Sequence, residues 1–362
     1  MKKLFLVLSL LTSLSLEAQF VTTYAKNTSE TQEDGVFYYL PRNIIKIDFT
    51  IEETNYLIGP YAEFTTKLMG TSDYIKENKT EYEIKSVDIQ LADEPDPNAV
   101  FLISSDEKSK EPLPNVILDS DGIILALGFD SIPVKSKIHR NAFIINDLNN
   151  AKSNNPTFID ILESEIEVEK NDDDDEEEGS SAPKKITKED KANAVINKIA
   201  KIRNAYFELI SGFNEVVYGN TTTTYMVDQM KELENEYISL FKGKTIKSSY
   251  NKTVYLVPDA KQANASVSID KIAGEQIKIQ FENKNQLADV NSINDETIKN
   301  GQSNKLFYRI PAETNLKILS GNNVIAEKQL TISQFGKLRV ISAKNNKILF
   351  NPNTGQIISV LK

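Results

Sequence analysis

Few residues in this chain can carry nucleophilic or proton-transfer chemistry. His139 is the single imidazole among 362 residues, and there is no Cys. A Ser-His-Asp or Cys-His constellation would have to be built on His139. Beside Arg140 at a strand end, it reads as an ordinary polar residue. No Gly-x-Ser-x-Gly elbow is present. The absence of Cys removes disulfides and thiolate ligands, and a zinc site built from His lacks the ligands it needs. There is no phosphate-cradling Gly-rich loop and no dinucleotide fingerprint. Carboxylate pairs remain, as used in glycoside hydrolysis. The 52 Asp and Glu residues do not single one out. The lack of Trp weighs against sugar handling, in which aromatic rings stack on sugar faces.

Two acidic segments bear on cation binding. Asp119-Ser120-Asp121-Gly122 opens like a Ca²⁺ loop but lacks the downstream Glu, so it reads as a hairpin turn. Asp160–Glu178 holds twelve acids and one base, Lys170. Within it, Asp172–Glu178 is an unbroken run followed by Gly179-Ser180-Ser181-Ala182-Pro183. Like charges in a row repel, which predicts a solvated, flexible linker. Loose Ca²⁺ capture is the alternative, without EF-hand spacing to support it. No catalytic, cofactor-binding or metal-ligating residue is therefore assigned, and no cofactor is expected.

The net charge is −10. Residues 1–18 contribute Lys2, Lys3 and Glu17, so the remainder nets −11, all of it in Asp160–Glu178. The rest is neutral, with no basic patch to neutralise phosphates, so nucleic acid is not an expected partner.

The elements that would position any site begin after an export signal. Lys2 and Lys3 precede an apolar stretch from Leu4 to Leu16, and Ala18 offers a small residue for cleavage before Gln19. No transmembrane segment is expected in the mature chain. Residues 36–147 read as strands. Val36–Leu40 closes at Pro41, and Ile45, Ile47, Phe49 and Ile51 alternate with polar residues. Tyr61–Met69 suits a short helix stopped by Gly70. Residues 187–243 change to helical spacing. Thr187 and Asp190 cap a run through Ala192, Val195, Ile199, Ile202, Tyr206 and Leu209, with Gly212 as the stop. Met226, Met230, Leu233, Tyr237 and Leu240 repeat it up to Gly243. Neither helix is stable alone, so each stripe must pack on something. Strands return after residue 244, with Ile277, Ile279 and Phe281 alternating and a last hairpin turning at Asn351–Gly355.

An ordered set of segments carries a resemblance. It runs from Phe37-Tyr38-Tyr39-Leu40-Pro41 through Gly59-Pro60-Tyr61-Ala62 to Leu68 and Gly70. Ile202-Arg203, Leu209-Ile210-Ser211-Gly212, Leu233–Tyr237 and Leu240-Phe241-Lys242-Gly243-Lys244 follow. Phe307-Tyr308-Arg309-Ile310-Pro311 and Gln334-Phe335-Gly336 complete it. The chain resembles the exported Bacteroidota family catalogued as domain of unknown function 4831. The resemblance implies export and a β-rich architecture, and brings no catalytic residue.

The expectation is an α+β protein: two mainly antiparallel, sandwich-like β domains with an antiparallel helical hairpin between them. The expected layout is a signal peptide at 1–18, an N-terminal β domain at 19–150, an acidic linker at 151–186, the hairpin at 187–243 and a C-terminal β domain at 244–362. Export and the missing catalytic signatures lean away from an enzyme. They favour a structural or protein-interaction module, periplasmic or at the outer membrane or cell surface, with other envelope proteins as partners. A carboxylate-dependent hydrolase of envelope glycan or peptide is the alternative. A carrier with a sheet-lined apolar pocket is a third reading, its ligand unknown.

Overall fold

The computed structural model describes residues 19–25, 34–106, 109, 112–132, 140–143, 158–159, 186–211, 219–284 and 301–362. The export signal at 1–18, His139, the acidic run at 172–178 and Gly212 lie outside them. In chain order the first elements are β1 (Phe20–Tyr24), β2 (Gly35–Leu57), α1 (Thr65–Met69), β3 (Lys79–Ser105), β4 (Val116–Leu118) and β5 (Ile124–Leu127). Then come α2 (Lys188–Ser211), α3 (Asn220–Lys242) and β6 (Lys244–Leu256). The last are β7 (Ser266–Ser268), β8 (Ile277–Asn283), β9 (Gln302–Ser303), β10 (Lys305–Ser320), β11 (Asn323–Ser342), β12 (Lys347–Phe350) and β13 (Ile357–Leu361). The strands form sheets ordered β6-β2-β3-β1-β9, β11-β10-β8-β7 and β13-β12-β5-β4. The pairings of β1 with β3 and β9, of β10 with β8 and β11, of β12 with β5 and β13, of β4 with β5 and of β7 with β8 are antiparallel, and an isolated parallel bridge joins Tyr39 to Ile123, so the sheets are mostly antiparallel and the protein is of the α+β class.

The chain divides into two compact units. One comprises Met1–Phe49, Ser86–Asp147 and Lys252–Lys362, and the other Thr50–Lys85 and Leu148–Asn251. β2 and β3 each contribute residues to both units.

The alternation at Ile45, Ile47, Phe49 and Ile51 is a strand with that face fully buried. Pro41, expected to close the preceding strand, lies inside the single β2 instead. Proline fixes φ near −65°, which an extended chain tolerates, so the cost is one donor and not the strand. Pro311 likewise sits inside β10, at a register shift between Ile310 and Ala312. Gly336 faces that shift, and any Cβ there would run into the Ile310 carbonyl.

In the first unit, all three sheets supply one core. Tyr38, Phe101, Ile124, Phe307, Ile348 and Phe350 are fully buried in it. Phe101 stacks on Phe307 with ring centroids 4.5 Å apart and on Tyr38 at 5.2 Å. The Tyr38 hydroxyl donates to the Phe307 carbonyl (3.3 Å) and accepts from its N–H (3.0 Å). The segments Val36–Pro41 and Leu306–Pro311 therefore meet directly.

In the second unit, the expected capping pair opens α2. Thr187 Oγ1 accepts the Asp190 N–H at 3.1 Å, and Asp190 Oδ2 accepts the Thr187 N–H at 2.8 Å. Ala192, Val195 and Ile199 of α2 are buried with Tyr61, Leu240 and Phe241. Tyr61 N–H donates to Leu240 O at 2.8 Å, and Thr65 Oγ1 donates to Phe241 O at 3.0 Å. Gly59 passes so close to Leu240 that a side chain would not fit. The helical stripes, expected to pack on something, are fully buried at this end and half-buried at Ile202, Tyr206, Leu209, Met226 and Met230. Among the described residues of α2 beyond Ile199 and of α3 before Ser239, none is fully buried.

Candidate functional site

The densest polar arrangement lies in the first unit around Asn43, which is 1% exposed. The extended backbone of β2 turns this side chain inward beside β11, where Ser333 is also buried. Asn43 Oδ1 accepts the Ser333 N–H at 2.6 Å. Its Nδ2 donates to Asp93 Oδ1 at 2.5 Å and to the Asn353 carbonyl at 3.3 Å. Gln334 takes both backbone groups: Asn43 N–H donates to Oε1 at 3.0 Å, and Asn43 O accepts from Nε2 at 2.8 Å. A buried amide with every group engaged fixes its surroundings far more strictly than an apolar residue would.

Asp93 is 6% exposed, and burial pushes its carboxyl up to about 6. The Asn43 amide, the Asn141 N–H at 3.2 Å and the nearby Arg140 charge act in the opposite direction. Arg140 does not clamp that carboxylate. Its guanidinium donates to the Asp93 carbonyl, to Asp121 and, at 3.3 Å, to Asp119. Asp119 shapes the expected turn, accepting the N–H groups of Asp121 (2.9 Å) and Ile123 (2.8 Å) with Oδ1, while Gly122 takes φ +86°. The Asp119–Gly122 segment is thus a turn tied to Arg140. A second ion pair joins Arg309 Nη2 to Asp96 Oδ2 at 2.6 Å, and Arg309 Nη1 donates to Pro41 O at 2.7 Å. No sequence signal marked Asn43, Asp93 or Arg309 as a cluster, because the partners stand up to about 300 residues apart.

In the second unit, a cleft of about 530 Å³ is lined by Glu52, Tyr56, Lys79, Glu81, Glu83 and Lys247 among others. Glu52 is bridged by Lys247 (3.1 Å) and Lys85 (3.2 Å), and Lys85 also reaches Glu83 at 2.6 Å. The Lys247 and Lys85 hydrogen bonds hold Glu52 below the usual carboxylate range, and Lys79 with the Tyr56 hydroxyl does the same for Glu81. A groove of about 350 Å³ beside α2 is lined by Leu68, Met69, Ile196, Ile199, Ala200 and Arg203 among others. Among the described residues, no group of three or more acids or His is placed to hold a metal ion. No helix of the described residues is long and apolar enough to cross a membrane.

These features define an α+β protein whose buried polar groups are spent on holding long strands together. The chain belongs to the family described as Domain of unknown function (DUF4831), whose profile matches residues 34–358. No curated protein and no solved structure matches it. The segments that carried the resemblance have visible duties. Gln334 grips Asn43, Phe335 packs edge-on against Phe281 at 5.1 Å, and Gly336 admits the Ile310 carbonyl.

Proposed function

We propose that this is an exported, non-enzymatic protein of the cell envelope, periplasmic or surface-associated, that binds another protein through its helical hairpin. The observation that supports it most is the far end of α2 and α3. Phe207, Ile210 and Tyr225 are 59%, 54% and 65% exposed there. The hairpin is laced by Arg203 to Glu234 at 2.6 Å and by Lys231 over the Tyr206 ring at 5.6 Å. Beyond that level, the charges on the described residues of α2 and α3 are Glu208 and Asp228, with no base. Apolar side chains on an acidic rim suit a partner surface that is apolar and bordered by Lys or Arg.

The hydrolase reading has the 530 Å³ cleft in its favour, since Glu52, Glu81 and Glu83 share it. It needs one acid held protonated beside an ionised one. Lysines hold Glu52 and Glu81 in the ionised form. Asp93, whose carboxyl is raised, lines none of the clefts above. This favours the binding reading.

The test is affinity capture from envelope extracts with the full chain and with a Phe207→Ser, Ile210→Ser, Tyr225→Ser triple variant. A discrete partner lost with the variant, released by salt and mapped to a basic-rimmed apolar surface supports the proposal. Identical recoveries with both proteins refute it. Fractionation with N-terminal sequencing tests export: a start near Gln19 is expected, and a cytoplasmic chain retaining Met1 refutes it.

A further inference from the structure

We propose that the outer edge of β13 is a self-pairing surface through which two copies of this chain associate about a two-fold axis. Each of the three sheets has two edge strands. An unpaired strand edge is a template for another strand, and folded proteins guard such edges with brevity, charge or proline. Five of the six are guarded. β9 has two residues, and β4 and β7 have three each. β6 carries Lys244, Lys247 and Lys252, and β11 carries Glu327, Lys328, Lys337 and Arg339.

β13 differs. It reads Ile357-Ile358-Ser359-Val360-Leu361, with no charge and no proline. Among the described residues it pairs with β12 alone. Ile358, Val360 and Leu361 are 52%, 43% and 51% exposed. Ile358 and Val360 share one face, so that face of β13 is apolar and open.

The pattern of β13 names the occupant. An isologous two-fold contact needs a surface complementary to itself. β13 is balanced about Ser359. In an antiparallel pair centred there, Ile358 faces Val360 of the second copy, and Ile357 faces Leu361 of the second copy. Gln356 then faces Lys362 of the second copy, so no like charges oppose each other. A shift of one residue would set side chains of opposite faces against each other, which a two-fold pair of identical strands does not allow. The pairing would continue β13-β12-β5-β4 into its symmetry mate, doubling the four-stranded sheet. This proposal is independent of the hairpin reading, since α2 and α3 take no part in it.

The chain has no Cys, so a single engineered thiol reports the contact without background. Ser359 would lie opposite its own copy, where Cβ atoms are about 4.5–5.5 Å apart. The full chain carrying Ser359→Cys should form a covalent dimer under mild oxidation or with a short bismaleimide. Val324→Cys, at a 51% exposed site on β11, should not. Sedimentation equilibrium should give twice the monomer mass for the native chain. Ile358→Lys and Val360→Lys, each at an exposed position, should halve that mass with unchanged circular dichroism. A native chain that stays monomeric at all concentrations, equal cross-linking at 324 and 359, or lysine variants that remain dimeric would overturn the proposal. Cross-linking of Cys at position 359 to a different protein only would also overturn it.

Discussion

Replacing Asp93 with Asn should reverse sign in its effect on stability as pH is raised. The Asp93 carboxyl is pushed from 3.8 up to about 6 by burial beside Asn43 and Asn141. The folded protein therefore holds this proton more tightly than the unfolded chain. Protonated Asp93 contributes its full stability below about pH 4, and that contribution is lost as pH rises through about 6. The displacement of about two pKa units corresponds to about 3 kcal/mol against the fold at neutral pH. The carboxyl is close to fully buried (6% exposed), so most of this survives solvent screening. Asn at this position carries no charge to bury and keeps one oxygen for Asn43 Nδ2. It gives up the second acceptor, which takes the Asn141 N–H, at a cost of about 1 kcal/mol. The net expectation for Asp93→Asn is a loss of about 1 kcal/mol near pH 4 and a gain of about 1–2 kcal/mol above pH 7. Urea unfolding of both proteins at several pH values measures the difference directly. Glu52, Glu81 and Glu282, each depressed by lysine, are present in both proteins and cancel in that difference. A difference that does not change with pH, or a variant weaker than the native chain at every pH, would refute the reasoning.

Asn43→Ala strips partners from Asp93, Ser333 N–H and Asn353 O together, and should lower the unfolding free energy by about 3–5 kcal/mol in denaturant titration. Arg309→Ala leaves Asp96, whose side chain is 7% exposed, without its cation, and should cost about 3 kcal/mol or more, whereas Arg309→Ala with Asp96→Ala should recover part of the loss. Thr187→Ala removes the hydroxyl cap of α2 and should cost about 1 kcal/mol, read as faster amide exchange in the first turn of α2 with later turns unaffected.

Periodicity carried much of the fold. The alternation of Ile45 to Ile51 and of Ile277 to Phe281 marked buried strand faces, and the spacing from Ala192 to Leu209 marked α2. Thr187 and Asp190 announced a cap because capping is local, settled within one helical turn. Proline misled for the same reason. Read locally, Pro41 and Pro311 are breaks, but both lie inside long strands, Pro311 where the ladder shifts, since an extended chain tolerates one missing N–H. The Asn43 network was illegible. It is assembled by β2, β3, β11 and the Asn351–Gly355 turn, and nothing within a few residues of Asn43 distinguishes it from any surface Asn. Phe207, Ile210 and Tyr225 each lie one position outside the stripes that run through Tyr206, Leu209 and Met226, and helical spacing gives an apolar residue off the stripe no partner to be read from.

The segments that tie the chain to its family divide by what their residues touch. Those in strands are accounted for within the molecule. Tyr38 grips the Phe307 backbone, Arg309 the Pro41 carbonyl, and Gln334 both backbone groups of Asn43. Gly59-Pro60-Tyr61-Ala62 and Leu240-Phe241 lock onto each other in the same manner. Those in the helices are accounted for only in part. Arg203 finds Glu234, yet Ile210 and Leu233 stand 54% and 44% exposed. Burying a Leu or Ile side chain fully is worth about 1.5–3 kcal/mol, and the fold forgoes about half of it at both positions. A partner's surface is where that energy can be recovered. The same reasoning separates the two surfaces: β13 offers an edge that, among the described residues, no second strand pairs, together with a self-matching sequence, and the hairpin offers side chains alone. If both readings hold, lysine substitutions on β13 should leave hairpin capture intact, and the hairpin triple variant should remain a dimer.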